Sequence, residues 1–198
     1  MKNRFNVLYN PAKAWEQLKE EKFTVKQVYL RMVIWMALLP PLFAFIGAVY
    51  SGWRIGYEDP VKLTWESALT ISIAAYIAIL VGLYIFARLV HWMAQTYDSN
   101  ASIDDSFALI AYSCMPLFLI SVFSAYPLLW MNTLLTLVAV ALALRILFAG
   151  TPVMMNIDKD RGILFTNSIL TVALVLVVAT LVISVLFWAN GMGPVFTR

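Results

Sequence analysis

The feature that most constrains this chain is a series of continuous apolar stretches, each long enough to cross a lipid bilayer. A spanning helix needs about 20 apolar residues, whereas strands of a membrane barrel are about ten residues long and alternate in hydrophobicity. Unpaired backbone amides in hydrocarbon cost several kcal/mol each, so only helices or closed barrels cross it. The continuous runs therefore predict an all-α polytopic membrane protein, a five-transmembrane-helix bundle.

Composition supports lipid as the solvent of most of the chain. Of the 198 residues, 62% are hydrophobic and only 13% are charged, which is far from the composition of soluble domains. The first apolar run begins near Val28, too late for a cleaved signal peptide, so we expect the tail before it to be retained. The sequence predicts a cytoplasmic tail at residues 1–27 with an interfacial amphipathic helix, followed by a five-span membrane domain at residues 28–198.

The tail carries a signal for one short helix. Asn10 before Pro11 is a favourable helix start, because asparagine can cap the first turn and proline is tolerated at the first helical position. A helix from Pro11 to about Glu21 would place Trp15 and Leu18 on one face. This pattern suits a helix at the level of the cytoplasmic headgroups.

Capping residues predict where several spans begin. Thr24 with Gln27, and Ser102 with Asp105, have the spacing of a capping box, and Thr64 can cap a third helix. The predicted limits are about Val28 to Val49 for span one, Trp65 to Val90 for span two, a start at about Ile103 for span three, and Ile163 to Trp188 for span five.

The middle of span one contains Pro40 and Pro41. Proline in a helix interior removes a backbone hydrogen bond and bends the axis. We expect a kink near Leu39, unless the helix is broken there outright. A packed kink is the structural interpretation, and a hinge or a break that faces a substrate, as in transporters with discontinuous helices, is the functional one.

Between residues 107 and 148 the only charge is Arg145, and this stretch is about twice the length of one crossing. It must therefore fold back on itself. The sequence Ser124-Ala125-Tyr126-Pro127 is the best corner, because the residue before proline is steered away from helical angles. Spans three and four are thus predicted to form a tight hairpin, followed by a loop that contains Gly150, Thr151, Pro152 and Gly162.

Basic residues predict the orientation. With the N-terminus inside, eleven of the 14 lysines and arginines fall on the cytoplasmic side and three fall outside, as the positive-inside rule requires. Five spans then put the C-terminus on the periplasmic or extracellular side. The cytoplasmic set is Lys2, Arg4, Lys13, Lys19, Lys22, Lys26, Arg31, Arg88, Arg145, Lys159 and Arg161; the outer set is Arg54, Lys62 and Arg198.

Polar chemistry is concentrated at the predicted cytoplasmic rim, at Arg88, His91, Asp104, Asp105 and Arg145. One interpretation is structural: the carboxylates complement a helix N-terminus, and the arginines complement C-terminal dipoles and snorkel. The other is that these five residues form one polar cluster that gates a cavity, or binds a partner or an anionic lipid.

Nothing in the sequence predicts an enzyme. His91 is the only histidine and Cys114 the only cysteine, so the chain alone cannot supply a His/Cys zinc site of usual ligand count. No serine lies in a recognisable nucleophile turn. The sequence therefore predicts no cofactor, and its modest net charge of +3 favours contact with lipid headgroups over nucleic acid.

Several motifs together resemble the Yip family, the Ypt-interacting membrane proteins. They are a variant of the Gly-Tyr-Ser-x-x-Pro motif around Tyr112, Ser113 and Pro116, an Asn-Pro-Ala-Lys-Ala-Trp segment at residues 10–15, and the corner at residues 126–130. The chain looks like the small bacterial inner-membrane branch, which implies a multi-pass protein of the bacterial inner (cytoplasmic) membrane. It departs from the eukaryotic members, since its tail is short and Ala111 replaces the motif glycine, so Rab binding is not carried over.

The position of Tyr112 four residues before Pro116 has a physical interpretation of its own. The two lie on one face of span three, so the motif predicts a kink with a phenol hydroxyl able to satisfy a freed carbonyl. Contact with a substrate is the alternative.

Two functions remain open. The first is a non-enzymatic protein that organises the membrane or binds a partner through its cytoplasmic face, with membrane lipids and a protein partner or a second copy as partners. The second is a transporter or channel for a small solute, ion or lipid. It is supported by Pro40-Pro41 and by the polar residues of span four, Asn132, Thr133 and Thr136. A membrane-embedded polar cavity that reaches at least one face would favour the second.

Overall fold

The computed structural model describes residues 6–53 and 60–197. Short helices at Asn6–Tyr9 and Pro11–Glu21 precede five helices that are long and apolar enough to cross a membrane. These five spans are Val25–Ser51, Trp65–Tyr97, Ile103–Ala125, Leu129–Met155 and Lys159–Gly191. The all-α, five-span prediction is therefore confirmed. The following residues named above lie outside the described residues: Lys2, Arg4, Arg54 and Arg198.

Span three is the central helix of the bundle. In its most apolar stretch 61% of residues are buried, against 6% in spans two and five, whose outer faces are apolar and exposed. Tyr29 of span one stacks on Phe107 of span three, with ring centroids 4.9 Å apart. The Tyr29 hydroxyl also donates to the Leu80 carbonyl of span two, so one side chain joins three spans.

The two ends of the bundle are distinct. The N-terminal end is the one that carries the helix Pro11–Glu21, together with the end of span four, where Lys19 donates to the Met154 carbonyl over 2.6 Å. The hairpin end is the one with the corner between spans three and four, where the Ser51 hydroxyl donates to the Ala125 carbonyl over 2.8 Å. The chain after span five pairs with the segment just before span two through an isolated bridge between Leu63 and Phe196.

The three caps predicted at the starts of spans are present. The Thr24 and Gln27 pair and the Ser102 and Asp105 pair each form a complete capping box. Thr64 accepts from the Ser67 amide over 3.4 Å at the start of span two. These caps could be predicted from the sequence because both partners lie within one turn of the helix.

The predicted cap by the Asn10 side chain is wrong. The helix does begin at Pro11, but the Asn10 side chain makes no capping hydrogen bond. The chain enters from the short helix Asn6–Tyr9, and the Asn10 amide donates to the Asn6 carbonyl over 2.8 Å. Because of this preceding turn, the Asn10 backbone does not have the geometry in which its side chain would cap the helix.

Span one is kinked rather than broken. Its helix is interrupted by a turn at Ala37 and Leu38, and a second α-helical segment begins at Leu39. Both turn residues keep right-handed helical angles, with ψ of −15° and −27°. Pro40 and Pro41 thus fall in the first turn of the second segment, where a missing amide hydrogen costs little. Whether this kink acts as a hinge stays a prediction.

The corner between spans three and four lies where it was predicted, but the loop after Arg145 does not. Span three ends at Ala125 and span four begins at Leu129. Span four then continues as an α-helix through Gly150, Thr151 and Pro152 as far as Met155. The Thr151 hydroxyl donates to the Leu147 carbonyl over 2.8 Å. Contacts from other segments of the chain stabilise this last turn of the helix. Tertiary packing thus overrides the local preference of glycine and proline for a loop.

Candidate functional site at the N-terminal end

Trp15 joins the N-terminal helix to the end of span four. Its side chain is fully buried, and its indole Nε1 donates to the Ile146 carbonyl over 3.0 Å. The ring also meets Tyr112 of span three edge to face, with centroids 6.2 Å apart. A tryptophan that is both packed and hydrogen-bonded fixes position and rotation at once. The helix Pro11–Glu21 is therefore a docked part of the bundle, which shares a hydrophobic core with the spans.

Gly150 makes room for that ring. A Cβ atom at this position would lie 2.4 Å from Trp15 Cε2 and 2.8 Å from Leu109 Cδ1. Neither the rigid indole ring nor the buried Leu109 can yield easily. Glycine at position 150 thus has a steric role within a continuous helix, which explains why it does not end span four.

Lys19, one turn beyond Trp15, completes the docking. Its Nζ donates to the Met154 carbonyl over 2.6 Å and lies 3.5 Å from Asp105 Oδ1. The last carbonyls of a helix have no partner within it and carry partial negative charge. Lys19 therefore caps the C-terminal end of span four, while Asp105, in the first turn of span three, balances its charge. On the other side, the Ser99 hydroxyl donates to the Met155 carbonyl over 2.5 Å.

Asp104 supports a different helix. Its Oδ1 accepts from the Val25 amide over 2.6 Å, and Val25 is the first residue of span one. Asp104 also lies in the first turn of its own span three. One carboxylate thus complements the N-terminal ends of two neighbouring helices, which both carry partial positive charge.

The five residues of the predicted polar cluster do not form one set of ion pairs. Asp104 and Asp105 bind Val25 and Lys19, as described above. Arg88 and Arg145 are exposed, and among the described residues neither forms a salt bridge. Arg145 lies ten residues before the end of span four, about 15 Å along the helix. His91 is partly buried, and its Nδ1 has no hydrogen-bond partner in the described chain.

We expect Asp104→Asn to lower stability by more than the loss of a helix-end charge would. The amide keeps an acceptor oxygen but loses the charge that strengthens the bond to Val25, and such charged bonds contribute roughly 1.5 to 3 kcal/mol. Thermal unfolding in lipid nanodiscs measures the effect. Asp160→Asn is the matched control, since Asp160 lies in the first turn of span five but is exposed and makes no described hydrogen bond. Equal melting temperatures for the two variants would contradict this account.

The motif around Tyr112 lies in the core of span three. Tyr112 and Ser113 are buried, and the helix is interrupted at Cys114, so that Pro116 lies in the first turn of a second segment. The kink expected from the motif is therefore present. The Ser113 hydroxyl is buried without a hydrogen-bond partner among the described residues. No described cluster of His, Cys, Asp or Glu could hold a metal ion.

Sequence reasoning did not single out the residues that build this site. The sequence pattern predicts Trp15 in the headgroup layer, Lys19 as a cytoplasmic charge, and Gly150 in a loop. The signal available was the helical spacing of Trp15 and Lys19, which puts the two on one face of the helix. Nothing in that spacing identified span four as the surface they contact.

A family model described as the Yip1 domain matches residues 5–189, nearly the whole chain. The chain belongs to the Yip1 family. As a Yip1-family protein it is 29% identical over 191 residues to the inner membrane protein YohC of Escherichia coli K12, with 96% of this chain and 98% of that protein covered. YohC from E. coli O6:H1 (strain CFT073) gives the same figures. No solved structure matches this Yip1-family chain.

Proposed function

We propose that this protein is a non-enzymatic inner-membrane protein that binds a partner protein through its N-terminal end, and thereby organises the membrane around it. Its relative YohC is named as an inner membrane protein. The eleven-to-three distribution of basic residues supports a cytoplasmic location for the N-terminal end. The observation that carries the proposal is the docking of the helix Pro11–Glu21 through Trp15, because it holds the opposite face of that helix outward in a fixed position.

The exposed face of this helix favours a protein over the lipid surface. Its charged residues are Lys13, Glu16, Glu20 and Glu21, and the exposed Lys22 forms its C-cap, which makes two cations against three anions. Helices that lie on anionic membranes carry lysine and arginine on the polar face instead. The apolar face is already occupied by the bundle, so it has no surface left to insert into lipid. A partner with basic groups is the better match for this face.

Site-specific photocrosslinking in cells tests the proposal. With a photoreactive amino acid at Gln17, on the exposed face, we expect adducts with a discrete protein. A probe at Val178, on the apolar outside of span five, is the control and should give lipid adducts. The Gln17 adducts should be lost in a Trp15→Ala chain that still inserts into the membrane. Lipid adducts alone at Gln17 would contradict the proposal.

The alternative, a transporter or channel, has less support. Among the described cavities, the one of about 440 Å³ near Pro40 shares no lining residue with the two of about 380 and 300 Å³ at the N-terminal end, so none of them crosses the bundle. The cavity near Pro40 has mostly apolar walls, and its Asn132 amide donates to the Tyr126 carbonyl. Ion or solute flux in proteoliposomes above that of empty vesicles would favour the transporter.

A further inference from the structure

Two arginines, Arg88 of span two and Arg145 of span four, have no partner in the fold described so far. Both are exposed, and neither forms a salt bridge among the described residues. The charge of a helix end acts only within its last turn, whereas Arg145 lies ten residues before the end of span four at Met155. Because a guanidinium that faces hydrocarbon alone is costly, each of these side chains needs an anion from outside the chain.

The two arginines lie at the same distance from the N-terminal end of the bundle. The hydroxyl of Ser99, two residues after span two, donates to the Met155 carbonyl at the end of span four over 2.5 Å. This contact brings the ends of the two spans to one level. Arg88 is nine residues before Tyr97, and Arg145 is ten residues before Met155, so they lie about 14 and 15 Å back along their helices.

The outer surface of span two changes character at Arg88. Before Arg88, its exposed side chains include the apolar Ile77, Val81 and Ile85. After Arg88, its exposed side chains are Trp92, Gln95 and Thr96. Tryptophan is enriched where a membrane meets water. Apolar side chains, then arginine, then tryptophan, then polar side chains are the order expected where a helix leaves the hydrocarbon.

Span five changes at the same level. The Tyr97 and Ser168 hydroxyls are hydrogen-bonded over 2.7 Å, and the Tyr97 ring packs against Phe165. Nine residues from Tyr97 toward the hairpin end is Arg88, and nine residues from Phe165 is Leu174. From Leu174 to Trp188 the exposed side chains are apolar except for Thr180, whose hydroxyl donates to the Leu176 carbonyl. Before Leu174 they are mixed: Lys159, Asp160, Arg161, Ile163, Leu164, Asn167 and Thr171.

The distance from these arginines to the hairpin end matches the thickness of the hydrocarbon. Trp130 is exposed at the start of span four, 15 residues before Arg145, which is about 22 Å along the helix. An arginine stem can reach roughly 6 Å further toward the headgroups. Together these lengths approach the hydrocarbon thickness of about 30 Å. Span two covers about 35 Å from Trp65 to Arg88, and a tilted helix of that length fits the same layer.

We propose that Arg88 and Arg145 bind the phosphate groups of membrane phospholipids, and that they mark the level at which the bundle leaves the hydrocarbon. A guanidinium can donate two parallel hydrogen bonds to a phosphate, and phosphate is the anion that every phospholipid places at this level. The helix Pro11–Glu21, which contacts span four between Ile146 and Met154, then lies outside the hydrocarbon. The proposal does not rest on partner binding, since phosphates line both faces of a membrane.

Cysteine labelling of the full-length protein in nanodiscs tests where the hydrocarbon ends. Leu164 and Leu181 of span five are 61% and 62% exposed, but they lie on opposite sides of the proposed level. In a chain that carries Cys114→Ala, Leu164→Cys should react with a charged maleimide severalfold faster than Leu181→Cys, because the reactive thiolate forms in water. Both should react alike after unfolding in dodecyl sulfate. Equal rates in nanodiscs, or an unreactive Leu164→Cys, would overturn the proposed level.

The lipid phosphate is tested by changing the medium. Arg145→Gln should lower the melting temperature in phosphatidylcholine nanodiscs but not in delipidated dodecyl maltoside micelles, which contain no phosphate. Arg88→Gln, on a different span, should behave in the same way. Lys159→Gln removes an exposed cation at the start of span five, and as the matched control it should melt like the wild type in both media. Losses of equal size in both media, or no loss in nanodiscs for either arginine variant, would overturn phosphate binding.

Discussion

Replacing Trp15 with alanine is expected to release the N-terminal helix from span four. Truncation of a fully buried tryptophan in a packed core costs about 3 to 5 kcal/mol, and here the hydrogen bond to the Ile146 carbonyl is lost as well. A change of about 3 kcal/mol alters an opening equilibrium roughly a hundredfold. Tryptic cleavage after Lys19, measured on the protein in nanodiscs, should therefore become about a hundredfold faster. An unchanged cleavage rate would show that Trp15 does not hold the helix.

A substitution at Gly150 distinguishes a loss of docking of the N-terminal helix from a general loss of packing. Gly150→Ala introduces a Cβ atom 2.4 Å from the Trp15 ring, and overpacking of this kind costs roughly 1 to 3 kcal/mol. In a chain that already carries Trp15→Ala the clash with the indole ring is gone and only the contact with Leu109 Cδ1 remains, so the same substitution should cost less. Thermal unfolding of the two single variants and the double variant gives the coupling between the sites. Strict additivity would contradict direct contact between Trp15 and position 150.

Gly47→Ala is expected to have the second largest effect. Gly47 is buried in span one beside the hairpin corner, and a Cβ atom there would lie 2.1 Å from the Ser124 carbonyl oxygen and 3.3 Å from Ala125 Cα. Both atoms belong to the backbone, so relief requires the two spans to separate. Close approach at small residues is a main source of stability between helices in lipid. We expect a loss of about 2 kcal/mol or more.

Gly82 is the matched control for Gly47. It also lies within a spanning helix, but a Cβ atom at this position meets nothing within 4 Å. Gly82→Ala should therefore be neutral, or stabilising by up to about 1 kcal/mol through the better helix propensity of alanine. Thermal unfolding in nanodiscs compares the two. If both substitutions change the melting temperature alike, span one does not approach the hairpin corner as closely as described.

The parts of the fold that follow from local chemistry could be predicted. The capping boxes at Thr24 and Ser102 fixed two helix starts, and Tyr126-Pro127 fixed the hairpin corner. The end of span four could not be predicted this way. Glycine, threonine and proline at 150–152 favour a loop, and the groups that stabilise a helix there include the indole of Trp15 and the ammonium of Lys19, from more than 130 residues away.

The candidate site was harder to predict than the fold, for a related reason. The carboxylates Asp104 and Asp105 were correctly placed at a helix start, but their partners are Val25 and Lys19 rather than the arginines. Charge and periodicity place a residue at one end of a membrane bundle. Which residues meet there depends on the rotation of each helix about its axis. The hydrophobic periodicity that would predict this rotation is weak where lipid covers most faces of the spans.

A zero-length cross-link between Lys19 and Asp105 tests the docking of the N-terminal helix most directly. Lys19 Nζ and Asp105 Oδ1 lie 3.5 Å apart, and each side chain is about one-quarter exposed, so a water-soluble carbodiimide should join them as an amide. Lys13, on the exposed face of the same helix, is the internal control and should not join Asp105. The account predicts the Lys19–Asp105 peptide in the wild type and its loss in Trp15→Ala. A wild-type protein in nanodiscs without that peptide, or with equal cross-linking from Lys13, would contradict a docked helix.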